Sequence, residues 1–358
     1  MLLLCFYLMT LKELLEDGVV SLARIPLKND YLLGSEGALD LSKLDYLKAY
    51  TVPLIGHDYG AKTPTMWNSI YEKLRLPIRN IMVVGNPNQT GDILRALRAD
   101  PRYLGGGAGV GFKESVIKHL DAVSPVDLNS VNIIVKEGNR LVGYNTDSRG
   151  LYLSVEEALG RVGKKTEGSN YVVLGAGGVA KDFIMLIARQ GARRIGIINR
   201  TYRKAVFLAN SINQERGDSV AYAAPEDLIR GSVLNTMVKV DAIVNCTDKG
   251  SDGPLKDISA FAPGSAGEFN NSLSIDVLRD LNKWNPEVVI VDIVLPKSGR
   301  SITLRHAESA GLENLVDGSG MVTNQAAPAY VLVQKAHPDI HTKIVTEQEA
   351  LKIFKEAV

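Results

Sequence analysis

Cysteine is nearly absent from this chain. Its 358 residues include two, Cys5 and Cys246, and neither belongs to a CxxC pair. That excludes a disulfide framework and leaves no thiolate pair for a zinc site. No metal is expected, and a reducing, cytoplasmic setting is the natural one. An excess of one charge sign is also lacking. The 41 Lys and Arg balance 40 Asp and Glu, for a formal net charge of +1. A nucleic-acid surface needs a basic stripe to displace counterions, so no nucleic-acid partner is expected. Long apolar runs are missing as well. Met1 to Met9 is apolar, but it falls far short of the roughly 20 residues that a spanning helix requires. No positive residue precedes it and no convincing small-residue cleavage site follows. It reads as part of an N-terminal extension over residues 1–20, with Met9 as an alternative start, and no membrane partner is expected.

What is present is a chain long enough for two α/β domains, with 45% of its residues in the hydrophobic set. In the first half, Tyr50 to Gly56 and Asn80 to Val84 read as strands, and Pro64 to Leu76 and Gly91 to Ala99 as helices. The glycine-dense stretch Gly105 to Gly111 leads into a helical pattern over Lys113 to Leu120. Val131 to Val135 and Leu141 to Tyr144 form a hairpin around Glu137-Gly138-Asn139. Asp147 to Gly160 reads as the helix that links the halves. In the second half, strands at Tyr171 to Leu174, Arg194 to Ile198, Asp241 to Asn245 and Val288 to Asp292 alternate with helices at Val179 to Gln190 and Arg203 to Ile212. That alternation implies parallel pairing and right-handed crossovers. Asp248 to Ser274 is rich in Gly, Pro, Ser and Asp and reads as loop. The last helices are Met321 to Lys335 and Glu347 to Ala357.

The strongest local signal is the turn Gly175-Ala176-Gly177-Gly178-Val179-Ala180 between a strand and a helix. Gly175 sits where the chain must turn sharply. Gly177 and Gly178 let a pyrophosphate approach the backbone, and the helix start presents free N–H groups to it. The third glycine of the dinucleotide fingerprint is Ala180, which the pattern allows. About 20 residues on, where an acidic residue would bind the 2′-hydroxyl of NAD, the chain reads Asn199-Arg200-Thr201-Tyr202-Arg203-Lys204. Basic residues there suit a 2′-phosphate, so the expected cofactor is NADP.

With these residues the chain resembles the shikimate/quinate dehydrogenase family over most of its length, from about Pro64 to Ala327. The family's pieces occur in order. They are GxNTDxxG at Gly143 to Gly150, GAGG at Gly175 to Gly178, NRT at Asn199 to Thr201, INxTxxG resembled by Val244 to Gly250, and a closing GxxMLVxQAA helix resembled by Gly318 to Ala327. The resemblance implies an α/β substrate-binding domain over 21–146 and a Rossmann-type NADP-binding domain over 147–320. The C-terminal helices, 321–358, are expected to pack back on the first domain. It also implies Lys113 and Asp147 as the catalytic pair, and Thr63, Asn132 and Gln325 as substrate-binding residues. Gly175, Ala176, Gly177, Gly178, Val179, Asn199, Arg200, Thr201, Lys204 and Thr247 are the expected cofactor contacts. The chemistry suits those types independently. Oxidising a secondary alcohol requires loss of its O–H proton, which a positioned lysine can exchange, and a carboxylate can orient that lysine.

The resemblance thins where substrate is anchored. The family's HSxSP becomes Gly60-Ala61-Lys62-Thr63-Pro64, keeping one hydroxyl of two. Its NVTxPxK becomes Gly107-Ala108-Gly109-Val110-Gly111-Phe112-Lys113, and the Tyr usual after Asp-x-Val is Leu295. The implied substrate is a cyclic polyhydroxy acid, shikimate first, with quinate or a related polyol acid as alternatives. A non-catalytic NADP-binding regulator is the competing reading. The sequence leaves the oligomeric state open, with a homodimer as one option.

Overall fold

The computed structural model describes residues 10–23, 31–34, 38–58, 61–126, 128–234 and 239–358. The apolar start Met1 to Met9 lies outside them. The chain divides into two compact units, one of residues 1–146 with 326–358 and one of residues 147–325.

The first unit holds two sheets. A six-stranded mixed sheet has the order β4-β2-β6-β8-β9-β7, built from β2 (Ala49–Thr51), β4 (Ile78–Asn80), β6 (Tyr103–Gly107), β7 (Ala122–Ser124), β8 (Ile133–Glu137) and β9 (Arg140–Tyr144). A smaller sheet has the order β1-β5-β3, from β1 (Val20–Leu22), β3 (Leu54–Ile55) and β5 (Val83–Gly85). Two expected strands are each split between these sheets. Tyr50 to Gly56 breaks at Val52-Pro53, and Asn80 to Val84 breaks at Ile81-Met82. Pro53 has no N–H to give to a ladder, and the chain leaves β2 there to enter β3. The hairpin β8–β9 forms with Glu137 opposite Arg140, and Gly138 supplies the positive φ of its turn.

Three helices start this unit: α1 (Leu11–Glu16), α2 (Thr63–Leu74) and α3 (Thr90–Ala99). Pro64 sits in the first turn of α2, where a missing N–H costs nothing. The expected helix over Lys113 to Leu120 is instead a run of turns ending in one 3₁₀ turn, Ile117–His119. Only Val116 and Phe112 make an α-type bond, Val116 N to Phe112 O, and i→i+3 bonds from Ile117, His119 and Leu120 tighten the rest. The later part of α10 (Ser319–Ala336) and α11 (Glu347–Ala357) complete the unit. Trp67, Tyr71, Tyr330 and Phe354 lock these helices together, with Trp67 and Tyr330 meeting edge to face at 5.5 Å.

The second unit is one parallel sheet of order β12-β11-β10-β13-β14-β15. Its strands are β10 (Asn170–Leu174), β11 (Arg194–Asn199), β12 (Ala221–Pro225), β13 (Ala242–Asn245), β14 (Val289–Asp292) and β15 (Leu315–Asp317). Helices cover both faces, which is why β10 is apolar from Tyr171 to Leu174. Tyr171 and Val173 pack with α4 (Asp147–Arg161), α5 (Gly178–Arg189) and α6 (Tyr202–Arg216). Val172 and Leu174 pack on the other face with α7 (Ile229–Val233), α8 (Asn270–Trp284) and α9 (Ile302–Ser309). The expected loop Asp248 to Ser274 is shorter than its composition suggests, because α8 begins at Asn270. There the side chain of Asn270 is buried and accepts from Ser259 N. Buried Ser274 bonds Ser259, so polar residues that read as loop are consumed in tying the segment down. The order places the switch point of a doubly wound fold between β10 and β13, where ligands of such sheets bind.

Candidate functional site

The glycine turn lies at that switch point. Gly175 has φ +112°, and its N–H donates to Ile198 O at 2.7 Å. A Cβ on Gly175 would stand 3.0 Å from Cys246 O, at the end of the neighbouring strand. Only glycine fits both the backbone and the space. Ala176 N donates to Asn199 Oδ1 at 3.1 Å, and Asn199 Nδ2 donates to Thr201 O at 2.9 Å. One side chain thus holds the first turn against the end of β11. Gly177 is the N-cap of α5, no side chain caps that helix, and a Cβ at Gly177 would meet nothing within 4 Å.

A cavity of about 720 Å³ opens here. Gly175, Ala176, Gly177, Asn199, Arg200, Thr201, Lys204 and Thr247 line it; Gly178 and Val179, in the first turn of α5, do not. Arg200 and Lys204 are exposed at its margin. These features fit a dinucleotide: a turn too tight for a Cβ at Gly175, uncapped helix N–H groups for phosphates, and two cations at the end of β11.

Lys249 and Glu226 are among the lining residues that the sequence reading did not name. Lys249 is buried and paired with Glu226 at 2.5 Å, and it also donates to Ala262 O at 2.6 Å. Burial holds its ammonium below the ordinary lysine value, and the bond to Glu226 opposes that. Glu226 accepts in turn from Gly264 N at 3.0 Å, so the pair fastens the loop after β13 to the end of β12. Lys249 stood within the Thr247 to Gly250 segment and read there as spacer; nothing in the sequence paired it with Glu226.

Behind Thr247 stands a buried network. Asn245 Oδ1 accepts from Thr247 N and from Thr247 Oγ1, at 3.0 and 2.7 Å. Asn245 Nδ2 donates to Asp292 Oδ1 at 2.8 Å, Val294 N donates to the same oxygen at 3.0 Å, and Ser301 Oγ donates to Asp292 Oδ2 at 2.5 Å. Asp292 is fully buried, and burial raises its carboxyl to about 6 against these bonds, with Asp317 adding to the rise. A group raised on folding favours the protonated folded state. Its contribution is therefore complete below the unfolded value near 4 and is lost as pH climbs through about 6. Asp292→Asn keeps the acceptor for Asn245 and Val294 but cannot titrate. Denaturant melts from pH 4 to 7 should show the unchanged chain losing stability relative to Asp292→Asn, with a limiting slope of about 1.4 kcal/mol per pH unit. Parallel curves would refute this assignment.

In the first unit, three candidate segments converge. Val131 N donates to Lys113 O at 2.8 Å, and Ala108 N donates to Asn132 O at 2.9 Å. Asn132 is buried, and its amide grips Thr146. Its Nδ2 donates to Thr146 Oγ1 at 3.0 Å and its Oδ1 accepts from Thr146 N at 2.9 Å. Lys113 and Asn132 are thus on bonded neighbouring segments, and Asn132 fixes the residue directly before Asp147. Thr63 opens α2, half-buried. Ala61, where the family pattern has serine, is buried in an apolar cluster with Ala23, Ile55 and Met82. Gly111, where that pattern has proline, has φ +87°, a conformation closed to proline.

In the second unit, Asp147 is buried at the start of α4, and Gln325 lies half-buried in α10. Gly150 brings these helices together: a Cβ on it would lie 2.6 Å from Gln325 Cβ and 2.7 Å from Met321 O. The last glycine of the Asn-Thr-Asp motif is therefore a helix-crossing contact one turn from Asp147. As to metals, His337 and His341 share an i, i+4 spacing, but His337 Nε2 is bonded to Leu104 O and His341 Nδ1 to His337 O. Among the described residues no group of three or more His, Cys, Asp or Glu side chains is placed to hold an ion. No helix there is long and apolar enough to cross a membrane.

Comparison with known proteins now bears on this geometry. The profile described as "Shikimate / quinate 5-dehydrogenase" matches residues 156–247, which carry the glycine turn, Asn199 to Lys204 and Thr247. Over those residues the chain is similar to the shikimate/quinate 5-dehydrogenase family. A shikimate dehydrogenase (NADP(+)) of Halothermothrix orenii is 27% identical over 299 residues, 83% of this chain and 94% of that one. Among solved structures, shikimate 5-dehydrogenase of Listeria monocytogenes, in complex with shikimate and NAD, superposes with TM-score 0.61 at 23% identity. It covers 86% of this chain and 96% of its own. A 5-ketofructose reductase of Gluconobacter sp. strain CHM43 has TM-score 0.59 at 21% identity, over 87% of this chain and all of its own. Members of this fold thus differ in substrate and in the cofactor named with them, while the parallel six-stranded sheet is common ground.

Proposed function

We propose that the chain is an NADP-dependent dehydrogenase of a secondary alcohol on a cyclic polyhydroxy acid. Shikimate to 3-dehydroshikimate is the leading reaction and quinate to 3-dehydroquinate the variant. The observation that carries the cofactor half is the switch-point cavity, with Arg200 and Lys204 where an NAD site would carry an acidic residue. Bound there, the nicotinamide would accept or return the hydride of the alcohol carbon. Lys113 would exchange the hydroxyl proton and stabilise the developing alkoxide, and Asp147 would orient it. Asn132, Gln325 and Thr63 would position the substrate hydroxyls and carboxylate. The Halothermothrix orenii relative supports this reading of substrate and cofactor.

A second reading rests on Ala61. Its place in an apolar cluster leaves one fewer hydroxyl for an anionic carboxylate, at about 1–3 kcal/mol per buried bond not made. An uncharged polyol or keto sugar would not miss it, and the 5-ketofructose reductase has this fold. Absorbance at 340 nm separates the readings. NADP⁺ reduction with shikimate or quinate supports the acid, and NADPH oxidation with 5-ketofructose alone supports the second. NADPH binding with silence on every substrate would favour the regulator instead.

A further inference from the structure

The second unit has another cavity, of about 710 Å³, at the opposite end of its strands. Asn170, Arg193, Arg194, Ser219, Lys239 and Asp241 line it. Asn170 begins β10 and lies opposite Arg194, the first residue of β11, while Asp241 immediately precedes β13. The glycine turn follows Leu174, at the other end of β10. At about 3.3 Å per residue the two cavities stand about 13 Å apart along that strand.

The charges here do not cancel. Asp241 is the lining carboxylate, and it is already committed to Lys164 at 2.8 Å and to Asn170 N at 2.8 Å. Arg194 stacks on the Tyr222 ring at 5.2 Å, which fixes its guanidinium without neutralising it. Among the described residues no carboxylate forms an ion pair with Arg193, Arg194 or Lys239. The cavity also holds a surplus acceptor. Asn170 Nδ2 donates to Lys239 O at 3.0 Å, which ties the start of β10 to the lysine's own backbone. Asp241 retains lone pairs beyond its two bonds. An occupant should therefore combine an oxyanion for the three cations with a hydroxyl donor for Asp241. The volume is that of a site for a small molecule rather than a lone ion.

We propose that this cavity binds a small phosphorylated polyol. Its phosphate lies against Arg193, Arg194 and Lys239, and a hydroxyl donates to Asp241. The site is separate from the dinucleotide cavity and does not depend on the proposed activity.

Calorimetric titration with ribose 5-phosphate tests it, with inorganic phosphate and ribose as separate arms. Ribose 5-phosphate should bind at least tenfold more tightly than phosphate, and ribose should give no signal. Arg193→Ser/Lys239→Ser should weaken binding at least tenfold; both side chains are exposed, so the fold stands, as a melting curve would verify. Arg200→Ser/Lys204→Ser, at the other cavity, should leave it unchanged. Phosphate binding as tightly as ribose 5-phosphate would overturn the polyol assignment. Binding untouched by the Arg193/Lys239 change, or abolished by the Arg200/Lys204 change, would overturn the site.

Discussion

Lys113→Ala should lower turnover by about 10²–10⁴-fold, the usual worth of a positioned acid–base group, while leaving the Kd for NADPH within about twofold, the two effects having separate sources. The separation follows from where the groups sit. Lys113 belongs to the first unit, and its backbone carbonyl is bonded to Val131 N. The dinucleotide cavity is lined wholly by residues of the second unit. The side chain is half-buried and sits on a run of turns held by main-chain bonds, so truncation removes an ammonium without opening the core. Stopped-flow turnover and fluorescence titration of NADPH would measure the two effects apart. Turnover near that of the unchanged chain would end the assignment of Lys113. A parallel loss of NADPH affinity would mean that the substitution acts through the fold.

The second large effect concerns cofactor choice. Arg200→Ser/Lys204→Ser should raise the KM for NADPH about 10–100-fold and leave that for NADH nearly unchanged. Each lost charge-assisted bond to a 2′-phosphate is worth about 1.5–3 kcal/mol when desolvated and less at this exposed margin. NADH has no 2′-phosphate and loses nothing. Asn199, which ties Ala176 N to Thr201 O, is untouched, so the turn itself survives. The preference for NADPH should also narrow with added salt, since exposed charges are screened. If both cofactors weaken equally, the two cations support the turn and do not read the phosphate.

Much of the second unit was legible because its signals are local. β10, β11, β13 and β14 are short apolar runs between helices, and the glycine turn needs only its own residues to be read. Edge strands β12 and β15 were missed. Ala221 to Pro225 holds three alanines and ends in proline, Leu315 to Asp317 is three residues long, and both are strands because neighbours supply their ladders. In the first unit, two apolar runs each read as one strand. Their division between two sheets is decided by which partners lie beside each half. The stretch from Lys113 has helical spacing but is held by the bonds of Gly109, Phe112 and Glu114 in turns.

The sequence by itself determined the dinucleotide turn, its basic neighbours at Arg200 and Lys204, and the family resemblance, because motif residues adjoin one another in the chain. Only the tertiary structure paired Lys249 with Glu226, buried Asp292 beneath Asn245 and Thr247, and set Gly150 against Gln325. It also gathered Asn170, Arg193, Arg194, Lys239 and Asp241 around one cavity. These groups are 23 (Glu226 to Lys249) to 175 (Gly150 to Gln325) positions apart at their extremes. Their proximity follows from strand order and helix crossing, for which no local pattern exists.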